Sequence, residues 1–246
     1  MQLAIRDGRL ARDPTIGVRK PRPPRGRQRF LTHGEVEKLA RELPAPYDLL
    51  VVLLAYTGLR FGEASALRVA SVDLARGRLV VDRALTELGG RISEGTTKTH
   101  RSRTVPIPRL LRSRLADYIG GRDAGEWLFP APEGRPLRNS NFRHRFFDPA
   151  VQRAGLAPLT PHDLRDTAAS LAVAAGASVK AVQRMLGHAS AAMTLDVYAG
   201  LFDEELDEVA DRMGWAAEAA GTAGAVSTQQ GLDRHQDADE DGSDGA

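Results

Sequence analysis

VASVDLARGRLVVDRALTELGGRISEGTTKTHRSRTVPIP, residues 69–108, decides the architecture of this 246-residue chain. Here the text reads with period two and is punctuated by turn residues, Gly77 and the pair Gly89-Gly90. Three strands are predicted, Ser71–Leu74, Arg78–Leu85 and Thr96–Pro106, forming one short antiparallel sheet. On both sides of it the period is helical. Upstream, Thr32 and Glu35 have capping-box spacing, and Val36, Leu39 and Ala40 follow on one face. Pro44 and Pro46 then break the chain. Tyr47–Thr57 reads as a buried helix closed by Gly58 at its C-cap, and Leu59–Leu67 starts another. Downstream, helices are predicted over Pro108–Ile119, Arg138–Ala154, Pro161–Ala175, Val179–Leu186, Ala191–Tyr198 and Asp203–Met213. The expected fold class is therefore mainly α with a small antiparallel β-sheet insertion.

Charge is divided unevenly along this framework. The chain has 34 basic and 32 acidic residues, a formal net charge of +2. From Leu201 onward, however, 13 acidic residues face only Arg212 and Arg234, so the first 200 residues carry a net +13. All but four of the basic residues are arginines, whose planar fork suits phosphate better than a point charge does. A basic body with an acidic end points toward nucleic acid, although solvated surface arginines would give the same composition. Residues 1–29 carry nine basic residues against Asp7 and Asp13, together with Pro14, Pro21, Pro23 and Pro24. Such a linker is extended and can track a phosphate backbone through Arg25, Arg27 and Arg29. Residues 215–246 are rich in Gly, Ala, Gln and Asp without core-forming periodicity, and read as an acidic disordered tail. The absence of Cys excludes disulfides and thiolate metal sites. The longest apolar run, Leu49–Tyr56, is too short to span a bilayer, and no secretory series opens the sequence. A soluble, cytoplasmic and nucleoid-associated chain is expected.

Four segments place polar residues inside otherwise apolar helical text. In Thr57–Glu63, Arg60 and Glu63 share one face of a helix start, as an ion pair or an anion site. In Thr160–Arg165, Thr160 is an N-cap candidate, Pro161 fits the first helical position and Asp163 completes the cap. His162 and Arg165 then point from the first turn toward one anion. Gly187 ends a helix just before His188, and Tyr198 closes the stretch that follows. Taken singly, each segment also has an ordinary structural explanation: a surface ion pair, a capped helix, a histidine at a helix end, a packed tyrosine ring.

Taken in order, they resemble the tyrosine recombinase (phage integrase) family over about residues 30–214, the extent of its catalytic domain. The matching text is TGLRFGEASALR at 57–68, TTKTHRSRTVPIP at 96–108, HDLRDTAASLAVAAG at 162–176 and LGHASAAMTLDVY at 186–198. The resemblance implies the fold of the DNA breaking-rejoining enzymes and a site-specific recombinase that forms a covalent 3′-phosphotyrosyl intermediate without metal, cofactor or ATP. It implies that Arg60 and Arg165 hold the scissile phosphate and that Lys98 protonates the leaving 5′-oxygen. It further implies that His162 takes or shares the proton of the nucleophile, that His188 hydrogen-bonds the phosphate, that Glu63 braces this shell, and that Tyr198 is the nucleophile. A phenol with a pKa near ~10 needs such a cationic setting to act at neutral pH. His100, Arg101 and Arg103 on the hairpin are expected to touch DNA, and His144 to be a surface residue.

The sequence also departs from the family pattern. Residues 1–8 read as the last helix of a core-binding domain entered in mid-element, so that 1–29 would be a remnant plus basic linker. Double-stranded DNA is the expected partner, in a homotetramer whose C-terminal helix docks on a neighbouring protomer; that helix could equally fold back on its own core. Two other readings stay open here: a non-recombining DNA-binding remnant, and relaxation of DNA in the manner of type IB topoisomerases.

Overall fold

The computed structural model describes residues 5–17, 29–96, 102–202, 209–211 and 213–218. Helix α1 (His33–Arg41) starts as the sequence predicts. The Glu35 carboxylate accepts the Thr32 N–H at 2.9 Å, while the Thr32 hydroxyl accepts from the Glu35 N–H. Helix α2 (Tyr47–Thr57) is apolar all round and accordingly buried all round: Leu50 through Ala55 are inaccessible to solvent. Each fully buried leucine there contributes roughly 1.5–3 kcal/mol. Gly58 closes α2 in the left-handed region at φ 64°, where a glycine has no steric penalty. Helix α2 is the axis of the molecule, packed by α1 on one side and by α7 (Pro161–Ala174) on another.

Helix α3 is shorter than predicted, Phe61–Ala66, because Arg60 is its N-cap in extended conformation. The sheet text then folds differently from the expected single sheet. Strands β1 (Val72–Asp73), β2 (Arg78–Val81) and β5 (Arg103–Pro106) form one antiparallel sheet in the order β1-β2-β5, while β3 (Arg83–Leu88) and β4 (Arg91–Thr96) make a separate hairpin. The break falls at Asp82. Before it, Leu79 and Val81 alternate into the core; after it, β3 and β4 are largely exposed, with only Ala84, Leu85 and Ile92 partly covered. The β3–β4 hairpin packs on α3.

Helix α4 (Arg109–Ile119) buries Leu111 and Leu115. The predicted helix Arg138–Ala154 is three pieces: α5 (Asn139–Phe142), a π-helical turn over Arg143–Phe147, and α6 (Asp148–Arg153). The aromatic residues supply the reason. Residues five apart on a regular α-helix point about 140° apart, yet Phe142 and Phe147 are both fully buried with ring centroids 5.7 Å apart. The wider turn lets both enter the core, where Phe142 also meets Tyr47 at 5.6 Å.

Helices α8 (Val179–Leu186) and α9 (Ala191–Phe202) pack on each other and on the end of α7, with Val173, Val182, Leu186 and Tyr198 forming a second small core. Helix α9 runs four residues past the predicted end at Tyr198. Of the predicted helix Asp203–Met213, residues 203–208 and 212 lie outside the described residues, and 209–211 and 213 are helical. Among the described residues no helix is long and apolar enough to cross a membrane.

Candidate active site

The turn between α2 and α3 sets the first part of the site. Glu63, 1 % exposed, accepts the backbone N–H of Arg60 at 2.8 Å and its guanidinium at 3.1 Å. Two further bonds, at 2.9 and 2.7 Å, come from Arg103 on β5. Burial would raise the pKa of this carboxyl, but the hydrogen bonds and charges of Arg103 and Arg60 outweigh it and hold Glu63 below the usual carboxylate range.

Arg103 is one of the hairpin residues expected to touch DNA. Its guanidinium is turned inward onto Glu63 and its side chain is 13 % exposed, because a carboxylate this deeply buried needs a bidentate cation. It lies over Gly187, where a Cβ would stand 2.9 Å from the Arg103 Nε, and Gly187 itself has φ 66°. Gly187→Ala should therefore lose about 1–3 kcal/mol of unfolding free energy from backbone strain, before any displacement of Arg103. Urea titration of the two chains measures this.

Helix α7 supplies the second part. Asp163 is occupied by the cap, accepting the N–H and hydroxyl of Thr160 at 2.6 and 2.8 Å. Arg165, 2 % exposed, donates to the carbonyls of Gly58 and Leu186 and so ties the end of α2 to the end of α8. Burial and then the neighbouring Arg60 press its pKa down to about 10, which leaves it cationic at neutral pH. Arg60, His162 and Arg165 line one cleft of about 300 Å³ together with Asn139 and Arg143. A larger groove of about 580 Å³ shares Arg60, Phe61, Asn139 and Arg143 with it and continues toward the β3–β4 hairpin.

His188 follows the Gly187 cap, with its Nδ1 3.0 Å from the hydroxyl of the fully buried Thr194. Burial first, then Arg165, Arg60 and Arg103, push its pKa down to about 4. The ring is neutral at pH 7, so it does not serve as a cation at the end of α8. Tyr198 is 3 % exposed, and its hydroxyl donates at 2.5 Å to Asp166, itself 8 % exposed. Burial, reinforced by the bond to Asp166 and its charge, pushes the phenol well above its ordinary pKa, against a smaller opposing effect of Arg165.

Arg29, a third exposed, bonds the Leu156 carbonyl at 2.8 Å and Glu35 at 3.3 Å, anchoring the start of the body. His144 is exposed. Arg25, Arg27, Lys98, His100 and Arg101 lie outside the described residues. Sequence reading overlooked Asp166, Thr194, Asn139 and Arg143. Asp166 had a legible signal, since a carboxylate inside the buried text of α7 requires a partner. The others carried none.

A family model described as the phage integrase family matches residues 29–205. The tyrosine recombinase XerA of Thermococcus kodakarensis is 31 % identical over 206 residues, covering 81 % of this chain and 68 % of that protein. The integrase of Mycobacterium phage D29 is 31 % identical over 216 residues, covering 84 % of this chain and 57 % of its own. Among solved structures, the Tn1549 transposon integrase in complex with transposon right end DNA aligns with a TM-score of 0.67 at 21 % identity, over 85 % of this chain and 75 % of that one. XerA recombinase aligns at 0.60 and 25 % identity, over 86 % and 72 %. The chain spans 57 to 68 % of the length of these two curated relatives. With a matching family model over most of its length and the fold of solved recombinases, this chain belongs to the phage integrase family.

Proposed function

We propose that this chain is a site-specific DNA recombinase that cleaves and rejoins strands through a 3′-phosphotyrosyl ester on Tyr198. The observation that carries the reading is the cleft in which Arg60, His162 and Arg165, from motifs more than 100 residues apart, face one volume. Phosphoryl transfer asks a protein chiefly for positioning and for cations around the equatorial oxygens. Arg60 and Arg165 are the cations that would hold the scissile phosphate. His188 is neutral at pH 7. With the Thr194 hydroxyl donating to Nδ1, its Nε2–H becomes a further donor to the phosphate. Glu63 and Arg103 hold Arg60 in place.

In cleavage, the Tyr198 Oη–P bond forms as the bond from phosphorus to the 5′-oxygen breaks. The phenol proton leaves toward His162, and Lys98, assigned from its motif position, supplies the proton of the leaving 5′-hydroxyl. The ester conserves the bond energy, so a 5′-hydroxyl can attack it and restore the strand. Double-stranded DNA is the substrate. Assembly as a homotetramer, with the segment beyond α9 docked on a neighbour, is supported by the exposure of Met213 and Trp215. A cytoplasmic, nucleoid-associated location follows from the substrate.

The test is a nicked suicide DNA substrate that traps the cleaved state, followed by denaturing electrophoresis. A protein–DNA adduct is expected with the native chain and none with Tyr198→Phe. An adduct that persists in Tyr198→Phe overturns the assignment. Plasmid relaxation without strand exchange between sites would replace recombination by a topoisomerase activity.

A further inference from the structure

The acceptor on the proposed nucleophile is the feature that the recombination chemistry above leaves unexplained. Asp166 lies on α7 immediately after Arg165, in a run where Leu164, Thr167, Ala168 and Ala169 are also buried. Arg165 does not neutralise it by direct contact, since its two terminal nitrogens donate to the carbonyls of Gly58 and Leu186. Asp166 instead takes the Tyr198 hydroxyl, across 32 residues of sequence. A buried carboxylate is costly unless hydrogen-bonded, so this contact joins the two helices strongly.

The geometry is that of a nucleophile at rest. A phenol that donates its proton to a carboxylate is stabilised in its protonated form, and the protonated form is the weaker nucleophile. Tyr198 is 3 % exposed, and it is absent from the residues that line the cleft of Arg60, His162 and Arg165. Attack requires the opposite state, with the phenol oxygen facing the phosphorus. We propose that Asp166 is a positioning residue that latches Tyr198 in a protonated, withdrawn state, which DNA must release. This rests on the reading of Tyr198 as the nucleophile. The substrate has the chemistry to open the latch: a phosphate beside Arg165 repels the neighbouring carboxylate and competes with it as an anionic acceptor for the phenol.

Two readouts test the latch, one of them without DNA. In the native chain, nitration by tetranitromethane, scored by peptide mass spectrometry, should be slowest at Tyr198 among Tyr47, Tyr56, Tyr118 and Tyr198. Nitration of Tyr198 as fast as that of Tyr56 overturns the proposal, with no variant needed. In Asp166→Asn, which keeps the shape and removes the charge, Tyr198 nitration should rise about tenfold, the effect of lowering a phenol pKa by about one unit. The other tyrosines should be unchanged, and thermal melting confirms the fold. No rise at Tyr198 in the folded variant overturns the latch.

With the suicide substrate, Asp166→Asn should form adduct several-fold faster than the native chain. A slower adduct despite faster nitration would make Asp166 a proton acceptor in the reaction, and also overturns the latch. If nitration behaves as expected and neither chain forms an adduct on any substrate, Asp166 still suppresses the reactivity of Tyr198, but the recombinase reading fails and the release by DNA with it.

Discussion

Replacing Arg165 by alanine is expected to slow phosphotyrosyl adduct formation by about a hundred- to a thousandfold, the usual loss when one preorganised donor to a developing charge is removed. Affinity for DNA should change far less, because most of it comes from distributed phosphate contacts. The large effect follows from where the guanidinium sits. Its donors to Gly58 and Leu186 lock it between the ends of α2 and α8, so it faces the cleft without having to be ordered by substrate. Lysine has its three donors on a single nitrogen and cannot span the two carbonyls that Arg165 reaches from separate nitrogens while also facing the phosphate, so Arg165→Lys should remain folded and still lose most of the rate. Single-turnover cleavage and filter binding separate the two quantities. An adduct rate within a factor of a few of the native value in Arg165→Ala would remove Arg165 from the machinery.

Glu63→Ala should be the most destabilising of the substitutions considered, costing about 3–5 kcal/mol, as expected when one partner of a buried ion pair is removed. Arg103 would be left buried without its bidentate acceptor, and Arg60 would lose the bond that orients it. The double variant Glu63→Ala/Arg103→Ala should be less destabilised than the sum of the single ones, since the uncompensated charge is gone. Chemical denaturation of the four chains tests this, and strict additivity would refute the coupling. A pH dependence accompanies it. The folded pKa of Glu63 lies below the ordinary 4.5 of a glutamate. Its contribution to stability is thus complete above the unfolded pKa and is lost as pH falls through the folded one. Glu63→Gln should flatten that acid limb of the stability curve and leave stability near neutral pH without this dependence.

His188 gives the same logic with the opposite charge type. Its folded pKa near 4 lies below the ordinary 6.5, so the folded state disfavours the proton. The native chain should lose stability as pH drops below the ordinary value, and a proton NMR titration should show no His188 transition between pH 5 and 8.

Several elements were legible because their determinants are local. Thr32 with Glu35, Thr160 with Asp163, and Gly58 and Gly187 in the left-handed region are interactions within four residues of chain, and a sequence carries them in full. The split of the sheet at Asp82 was not legible, since it depends on whether β3 finds anything to cover it. Nor was the π turn over Arg143–Phe147, which is set by the positions of Tyr47 and the other core aromatics rather than by the helix itself.

The site divides along the same line. By itself the sequence determined which residue types are present, their order and their caps, and that was enough to place Arg60, His162, Arg165, His188 and Tyr198 in one family pattern. Only the tertiary structure decided what each of them touches. It turned Arg103 inward onto Glu63, put Thr194 behind His188 and gave Tyr198 to Asp166. The physical reason is desolvation. A charge in water has no need of a particular partner, whereas one taken into the core must find its counter-ion or donor wherever the fold brings one close, at any distance along the chain.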